Sequence, residues 1–390
     1  MAIKTQMIGE HMKRNTRRMV ALAMISGAFL NGTVNTLAAS SKEVEEAAES
    51  GLGGDEKAAA AARAKDLAWK PSCAEVGLIQ IGDSKQPGAL KNFCLNAEGN
   101  ILACFVPNDA ANSSAGKHAP AIRVYSPKGE LLKTLPIEIK AGVIAVGRDG
   151  SIFVAGDGRL LKLDAGGKML ASAPSPVANE PVSIGEDVEE MIKQSKRPYE
   201  QEVERMKASL EKRRADVTGL AVTEEDVFMV VGSPNDFSYR VYRLDHALEN
   251  PKLVVEKLRG CCGQMDIQAH DGNLWIAHNS RHQVESRDRD GKEISKFGKA
   301  GKVKATDFAS CCEPKNLRVL ANGDILAAES EPDPCIKRFS ASGQFLGVIA
   351  ILKAEKPECV RVTVEASPDG SRFYLLDVKR DAIVVFGTKS

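Results

Sequence analysis

The chain has 390 residues, 43% hydrophobic and 27% charged, enough apolar material for a sizeable core and too much for a chain disordered throughout. Fifty-three Lys and Arg against 52 Asp and Glu leave a net charge of +1, so no bulk basic field exists to hold a nucleic-acid backbone and no nucleic-acid partner is expected. Nine cysteines accompany only 5% aromatic residues, and six of them fall between Cys261 and Cys359, which makes sulfur the chemical feature to follow.

From Lys13 the chain reads Lys-Arg-Asn-Thr-Arg-Arg, then an apolar run from Met19 to Leu30, then the small residues Ala38, Ala39 and Ser40. This order describes a secretory signal peptide over residues 1–40, since a membrane span needs about twenty apolar residues. Export to a periplasmic or extracellular space follows, and cleavage near Ser41 would lower the net charge to about −3. Arg17 and Arg18 also resemble a twin-arginine signal, the route of proteins exported already folded, although Met19, Val20 and Ala21 depart from its usual continuation. No other stretch approaches spanning length, so the mature chain is expected to have no transmembrane span. Residues 41–75, rich in Ala, Glu, Lys and Gly, read as a flexible linker or loose helix with little to bury.

The β pattern begins at Val76 to Ile81, and pairs of alternating apolar strands then recur around tight turns. They run from Leu90 to Phe105 around Glu98-Gly99, and from Gly142 to Ala155 around Asp149-Gly150. Next come Thr218 to Val231 around Glu225-Asp226 and Met265 to Ala277 around Asp271-Gly272. The last two are Asn316 to Ala328 around Asn322-Gly323 and Val362 to Leu376 around Asp369-Gly370. A third alternating strand follows each pair, as in Ile122 to Tyr125 and Ile336 to Phe339. Gly99 to Gly150 and Gly272 to Gly323 both span 51 residues, and Gly323 to Gly370 spans 47. Six such repeats predict an all-β fold, a six-bladed β-propeller over residues 76–390, because a small twisted sheet cannot bury both faces until neighbours stack around an axis. The chain ends after the third strand of the last repeat, so Val76 to Ile81 is expected to supply the missing outer strand and close the ring.

The Asp-Gly and Asn-Gly turns, third strands such as Ile336-Lys337-Arg338-Phe339 and the glycine turn at Gly343 resemble the NHL-repeat family of six-bladed propellers. That resemblance covers about residues 76 to 387. It implies a scaffold used for partner binding, for ligand binding and occasionally for lyase or lactonase chemistry. No catalytic residue of the family maps onto a matching position here.

Residues 185–215 interrupt the β pattern between the second and third repeats. Val188, Met191, Ile192, Tyr199, Val203, Met206 and Leu210 recur at helical spacing between Glu and Lys or Arg pairs. One amphipathic helix, or two broken at Pro198, is expected, either as a lid or docking element over the channel mouth or as a solvated decoration on the rim.

Superposing the inner strands at Asp266, Asn316 and Thr363 puts Cys262, Cys312 and Cys359 each four residues ahead of the aligned position. Cys261 and Cys311 precede two of these, so five sulfurs are expected at one mouth. The loops between second and third strands should open on that face, bringing His278, Asn279, Arg281, His282, Glu329, Cys335 and Arg380, with the strand starts Asp266 and Asn316, around a candidate binding site. Three readings of the sulfurs stay open. Structural disulfides suit an exported chain. A thiolate site could take zinc, copper or an iron-sulfur cluster, although C-x-x-C spacing is missing. A redox-active dithiol could use His278, Arg281 or His282 to favour the thiolate. Cys94 and Cys104 fall within strands and read as packing residues. The expected function is a ligand- or protein-binding scaffold with a cysteine-lined site, the alternative being a redox or metal-dependent enzyme using the same cysteines.

Overall fold

The computed structural model describes residues 54–82, 88–108, 119–260, 263–355 and 358–388. The expected signal peptide and the pair Cys261-Cys262 lie outside the described residues. The first strand, β1 (Cys73–Gln80), is followed by six consecutive groups of strands. Blade one holds β2 (Gly88–Leu95), β3 (Ile101–Pro107), β4 (Ala121–Tyr125) and β5 (Leu131–Pro136). Blade two holds β6 (Val143–Val146), β7 (Ile152–Gly156), β8 (Arg159–Leu163) and β9 (Met169–Pro174), and after two helices blade three holds β10 (Val217–Val222), β11 (Asp226–Gly232), β12 (Ser238–Asp245) and β13 (Lys252–Arg259). Blade four is β14 (Ile267–His270), β15 (Asn273–His278), β16 (Gln283–Arg287) and β17 (Glu293–Phe297). Blade five is β18 (Asn316–Val319), β19 (Ile325–Glu329), β20 (Cys335–Phe339) and β21 (Phe345–Ile351). Blade six has three strands of its own, β22 (Val364–Ala366), β23 (Arg372–Asp377) and β24 (Ala382–Thr388).

Each blade is a four-stranded antiparallel sheet, and β1 completes the sixth by pairing with β24 from Cys73 opposite Thr388 to Gln80 opposite Ala382. The six-bladed propeller and its closure therefore follow the expected pattern. The ring is continuous because β2, β6, β10, β14, β18 and β22 each touch the next inner strand and β22 returns to β2. Alternation puts apolar side chains on both faces of every blade, and six hydrophobic clusters fill the six spaces between neighbours. Where the inner hairpin turns through a left-handed residue, glycine supplies it, as at Gly323, with φ of 84°, and at Gly370, with φ of 69°.

Two segments differ from expectation. Residues 54–72 take the helical form of the two expected, but docked instead of loose: α1 (Gly54–Lys65) and a short 3-10 turn (Leu67–Trp69) rest on the loop that leads into blade five. Arg63 donates to the Lys302 carbonyl and the Trp69 indole N–H to the Val303 carbonyl, each at 2.7 Å. Ala59 and Ala61 are buried, so an alanine-rich stretch that looks solvated gives its small side chains to a close contact. The closing strand also starts at Cys73, three residues earlier than Val76, because the Ser72 amide reaches the Val348 carbonyl at 3.0 Å and Cys73 is buried.

The insertion forms two helices, α2 (Glu186–Lys193) and α3 (Tyr199–Arg214), broken at Pro198. Val188, Ile192 and Met206 pack with Phe237 of the β11–β12 loop, and Arg213 donates to the Phe237 carbonyl at 2.9 Å. The helices thus rest on blade three, on the face where its second and third strands are joined. Among the described residues no helix is long and apolar enough to cross a membrane.

Candidate functional site

Around the axis the first residues of the inner strands bond blade to blade. The Asp266 carboxylate accepts the Leu317 amide at 3.0 Å, and the Asn316 side chain accepts the Val364 amide at 2.8 Å. Thr363 donates its hydroxyl to Asn92 at 3.0 Å, and Thr218 donates to the Met265 carbonyl at 3.0 Å. Asp266 and Asn316, expected to bind a ligand, instead spend their acceptors holding consecutive blades in register. Inner strands converge at this level, so a short polar side chain meets the backbone of its neighbour before it meets the axis. Further in lies a buried ion pair, Arg318 to Glu365 at 2.7 Å. Burial raises Asp266 to about 6 and Glu365 to about 7 despite the pull of Arg318.

One level above, the chain segments before β18 and β22 bring sulfurs together. Cys312 Sγ stands 3.5 Å from Cys311 Sγ and 3.2 Å from Cys359 Sγ. Neither contact is a disulfide, whose bond is about 2.05 Å. Cys312 is fully buried while Cys311 and Cys359 are exposed. Lys315, 1% exposed, donates to Cys359 Sγ and to the Val360 carbonyl, both at 2.9 Å. Burial opposes its charge, but the bond to Cys359 leads the contributions that outweigh it and raise the Lys315 pKa. Glu313, also fully buried, accepts both the amide and the hydroxyl of Ser330, at 2.9 and 2.7 Å. Burial and then the charge of Glu329 push its pKa well above the usual carboxylate range, so it is carried as the neutral acid. Nearby, Gln264 donates to the Val362 carbonyl at 2.7 Å, tying the segment before blade four to the one before blade six.

The remaining expected site residues are distributed differently. Cys335 is buried at the start of β20, opposite Glu329 in register, and does not join the sulfur contacts above. Its thiol is pushed up by burial and by Glu329. Glu329 forms a fully buried ion pair with Lys337 and accepts the Ala309 amide at 3.1 Å, so it supports the blade interior instead of lining the mouth. Arg380 bonds Asp377 at 2.6 Å, and its carbonyl accepts from Gln80 at 2.7 Å, which fastens the closing strand. His278 is buried against Glu285 at 2.5 Å, Asn279 donates to the Gln264 carbonyl at 2.5 Å, and His282 bonds the Ser310 carbonyl at 2.9 Å. His282 therefore steadies the residue before Cys311. Burial would raise Glu285, but hydrogen bonds from His278 and Arg287 hold it at about 2. Arg281 is exposed.

Lys315 and Glu313 escaped the reading of the sequence, although a signal was there. Lys315 occupies the position that Met265 and Val362 fill in the neighbouring repeats, and both of those are buried and apolar. A lysine at an inner apolar position has no packing rationale and needs an anion beside it. Among the described residues no group of three or more His, Cys, Asp or Glu side chains is arranged to hold a metal ion. Tetrahedral zinc at about 2.3 Å would set its sulfurs about 3.8 Å apart, wider than the contacts seen here.

No family model and no curated protein matches the chain. Among solved structures it is similar to a gluconolactonase from Xanthomonas campestris, at 10% identity over 83% of this chain and 99% of that one, with a TM-score of 0.48. The WD40 domain of Pan2 from Neurospora crassa is similar at 9% identity over 83% of this chain and 98% of that one, TM-score 0.47. A protein of unknown function from Bacteroides thetaiotaomicron reaches 12% identity over 82% and 72% of the two chains, TM-score 0.48. At such identities the likenesses carry no argument about activity.

Proposed function

We propose that this chain is an exported, NHL-like propeller that binds a ligand or a protein partner at a cysteine-lined mouth. The observation that supports it is the approach of three sulfurs from two blades, two of them exposed, on a ring whose inner strands are already bonded to one another. A rigid ring of that kind presents its loops with little ordering left for the binding step. Export is supported by the basic and apolar order of residues 13–40.

The test is labelling of Cys311 and Cys359 with N-ethylmaleimide. It is run in the compartment extract into which a host exports the chain, and again on the purified protein. Protection in the extract that purification removes is the expected result, together with an amino terminus near Ser41. Equal labelling in both would refute binding at the mouth, and retention of residues 1–40 in the cytoplasm would refute export. A second reading, a redox enzyme, is favoured by one specific contact, the Lys315 ammonium on Cys359.

A further inference from the structure

We propose that Cys359 and Cys312 are a thiol–disulfide exchange pair, with Cys359 as the attacking thiolate, Cys312 as the resolving thiol and Lys315 as the residue that positions and charges them; this rests on reading the mouth as the working site.

The assignment starts from Lys315. A fully buried ammonium is costly unless an anion faces it. Among the described residues its side-chain partners are one sulfur and one carbonyl, Cys359 Sγ and the Val360 oxygen. Glu313, two residues earlier, has one oxygen occupied by Ser330, and burial followed by the Glu329 charge keeps it neutral. The Cys359 sulfur is the side-chain partner that remains, 2.9 Å from the ammonium. Exposure then separates the roles: Cys359 can meet a substrate, whereas Cys312, 3.2 Å away and fully buried, can be reached only from within the protein. A Cys311–Cys312 bond is disfavoured because adjacent Cα atoms lie about 3.8 Å apart, below the usual disulfide range, which leaves Cys312 to face Cys359.

In the exchange the Cys359 thiolate attacks one sulfur of a substrate disulfide. The substrate S–S bond breaks, and the first thiolate leaves and takes a proton from water. Lys315, having lost its anionic partner, now favours ionisation of Cys312, whose proton passes to solvent. The Cys312 thiolate attacks Cys359 Sγ, the mixed disulfide breaks and the second thiolate leaves. Two electrons have moved from the protein dithiol to the substrate disulfide, giving two thiols and a Cys312–Cys359 bond that staples blades five and six. In an oxidising space the same steps run in reverse, the bond taking electrons from a substrate dithiol.

The experiment uses the reduced full chain with glutathione disulfide in one arm and a disulfide-bonded peptide in the other, followed by peptide mapping. Release of two thiols and a mapped Cys312–Cys359 bond is expected. Reaction with glutathione alone marks a small-molecule substrate, and a preference for the peptide marks a polypeptide one. Cys312→Ser should stop at a mixed disulfide on Cys359. Lys315→Met should slow modification of Cys359 at neutral pH by about tenfold, and Lys315→Arg should restore part of the rate. The proposal falls if the bond maps to another pair, including one with Cys261 or Cys262, or if Cys359 reacts no faster than Cys311. It also falls if Lys315→Met keeps the parental rate, or if the reduced protein holds a stoichiometric metal that blocks the reaction. Protection of the mouth in extract without a Cys312–Cys359 bond removes the exchange pair and keeps the binding site; the bond without protection does the reverse.

Discussion

Asp266→Asn asks whether the axial carboxylate is a working acid or a strut between blades. The side chain is 7% exposed and accepts the Leu317 amide at 3.0 Å. Burial raises its pKa from 3.8 to about 6, against the opposing pull of Arg318, the Leu317 and Ile267 amides and Arg361. An acid that holds its proton more tightly when folded contributes stability at low pH, and that contribution is lost as the pH rises from about 4 through 6. A gap of about two pH units is worth ~3 kcal/mol once both states are ionised. Asparagine keeps an acceptor for Leu317 and cannot ionise. The variant is therefore expected to be more stable than the parent by ~3 kcal/mol at pH 8, by roughly half that at pH 5 and by well under ~1 kcal/mol near pH 4. Urea unfolding followed by tryptophan fluorescence, in reductant at the three pH values, reads the difference directly. Glu365 shares the cluster and is itself raised to about 7, partly by Asp266, so its own titration should move down in the variant. A variant less stable at pH 8, or a difference that does not change with pH, would refute the picture of a carboxylate kept for geometry at an electrostatic cost.

Lys337 is fully buried, paired with Glu329, donates to the Asp307 carbonyl at 2.6 Å and lies 4.6 Å from the Trp69 ring centroid. Lys337→Met is expected to cost about 3–5 kcal/mol in thermal unfolding by stranding Glu329, and Lys337→Met with Glu329→Gln to recover most of it. Glu285→Gln should lose ~3 kcal/mol at neutral pH, because a carboxylate held at about 2 by His278 and Arg287 contributes stability above its unfolded value of 4.5; denaturant titrations at falling pH should show the difference fade as the parent protonates near 2. Cys94 and Cys104 are buried, with burial raising the first well above its usual range and the second to about 12. Neither should react with maleimide in the native protein, whereas exposed Cys311 and Cys359 should, and peptide mapping before and after unfolding checks both statements.

The amino-acid sequence alone determined the ring. Turn dipeptides such as Asp149-Gly150 and Asn322-Gly323, the alternation around them and a spacing near 50 residues are local signals, and the missing outer strand of the last blade called for Val76 to Ile81 to close it, a strand the structure runs from Cys73 to Gln80. The same repeat placed Cys312 and Cys359 at one level, since equivalent positions in a ring share a height. It did not say which way a side chain turns once there. Asp266 and Asn316 lie on the axis yet bond the next blade, Cys335 and Glu329 sit inside blade five, and Lys315 aims its charge at Cys359. Those outcomes belong to tertiary structure, because they depend on which partner a neighbouring blade presents within about 3 Å, a distance no repeat period encodes.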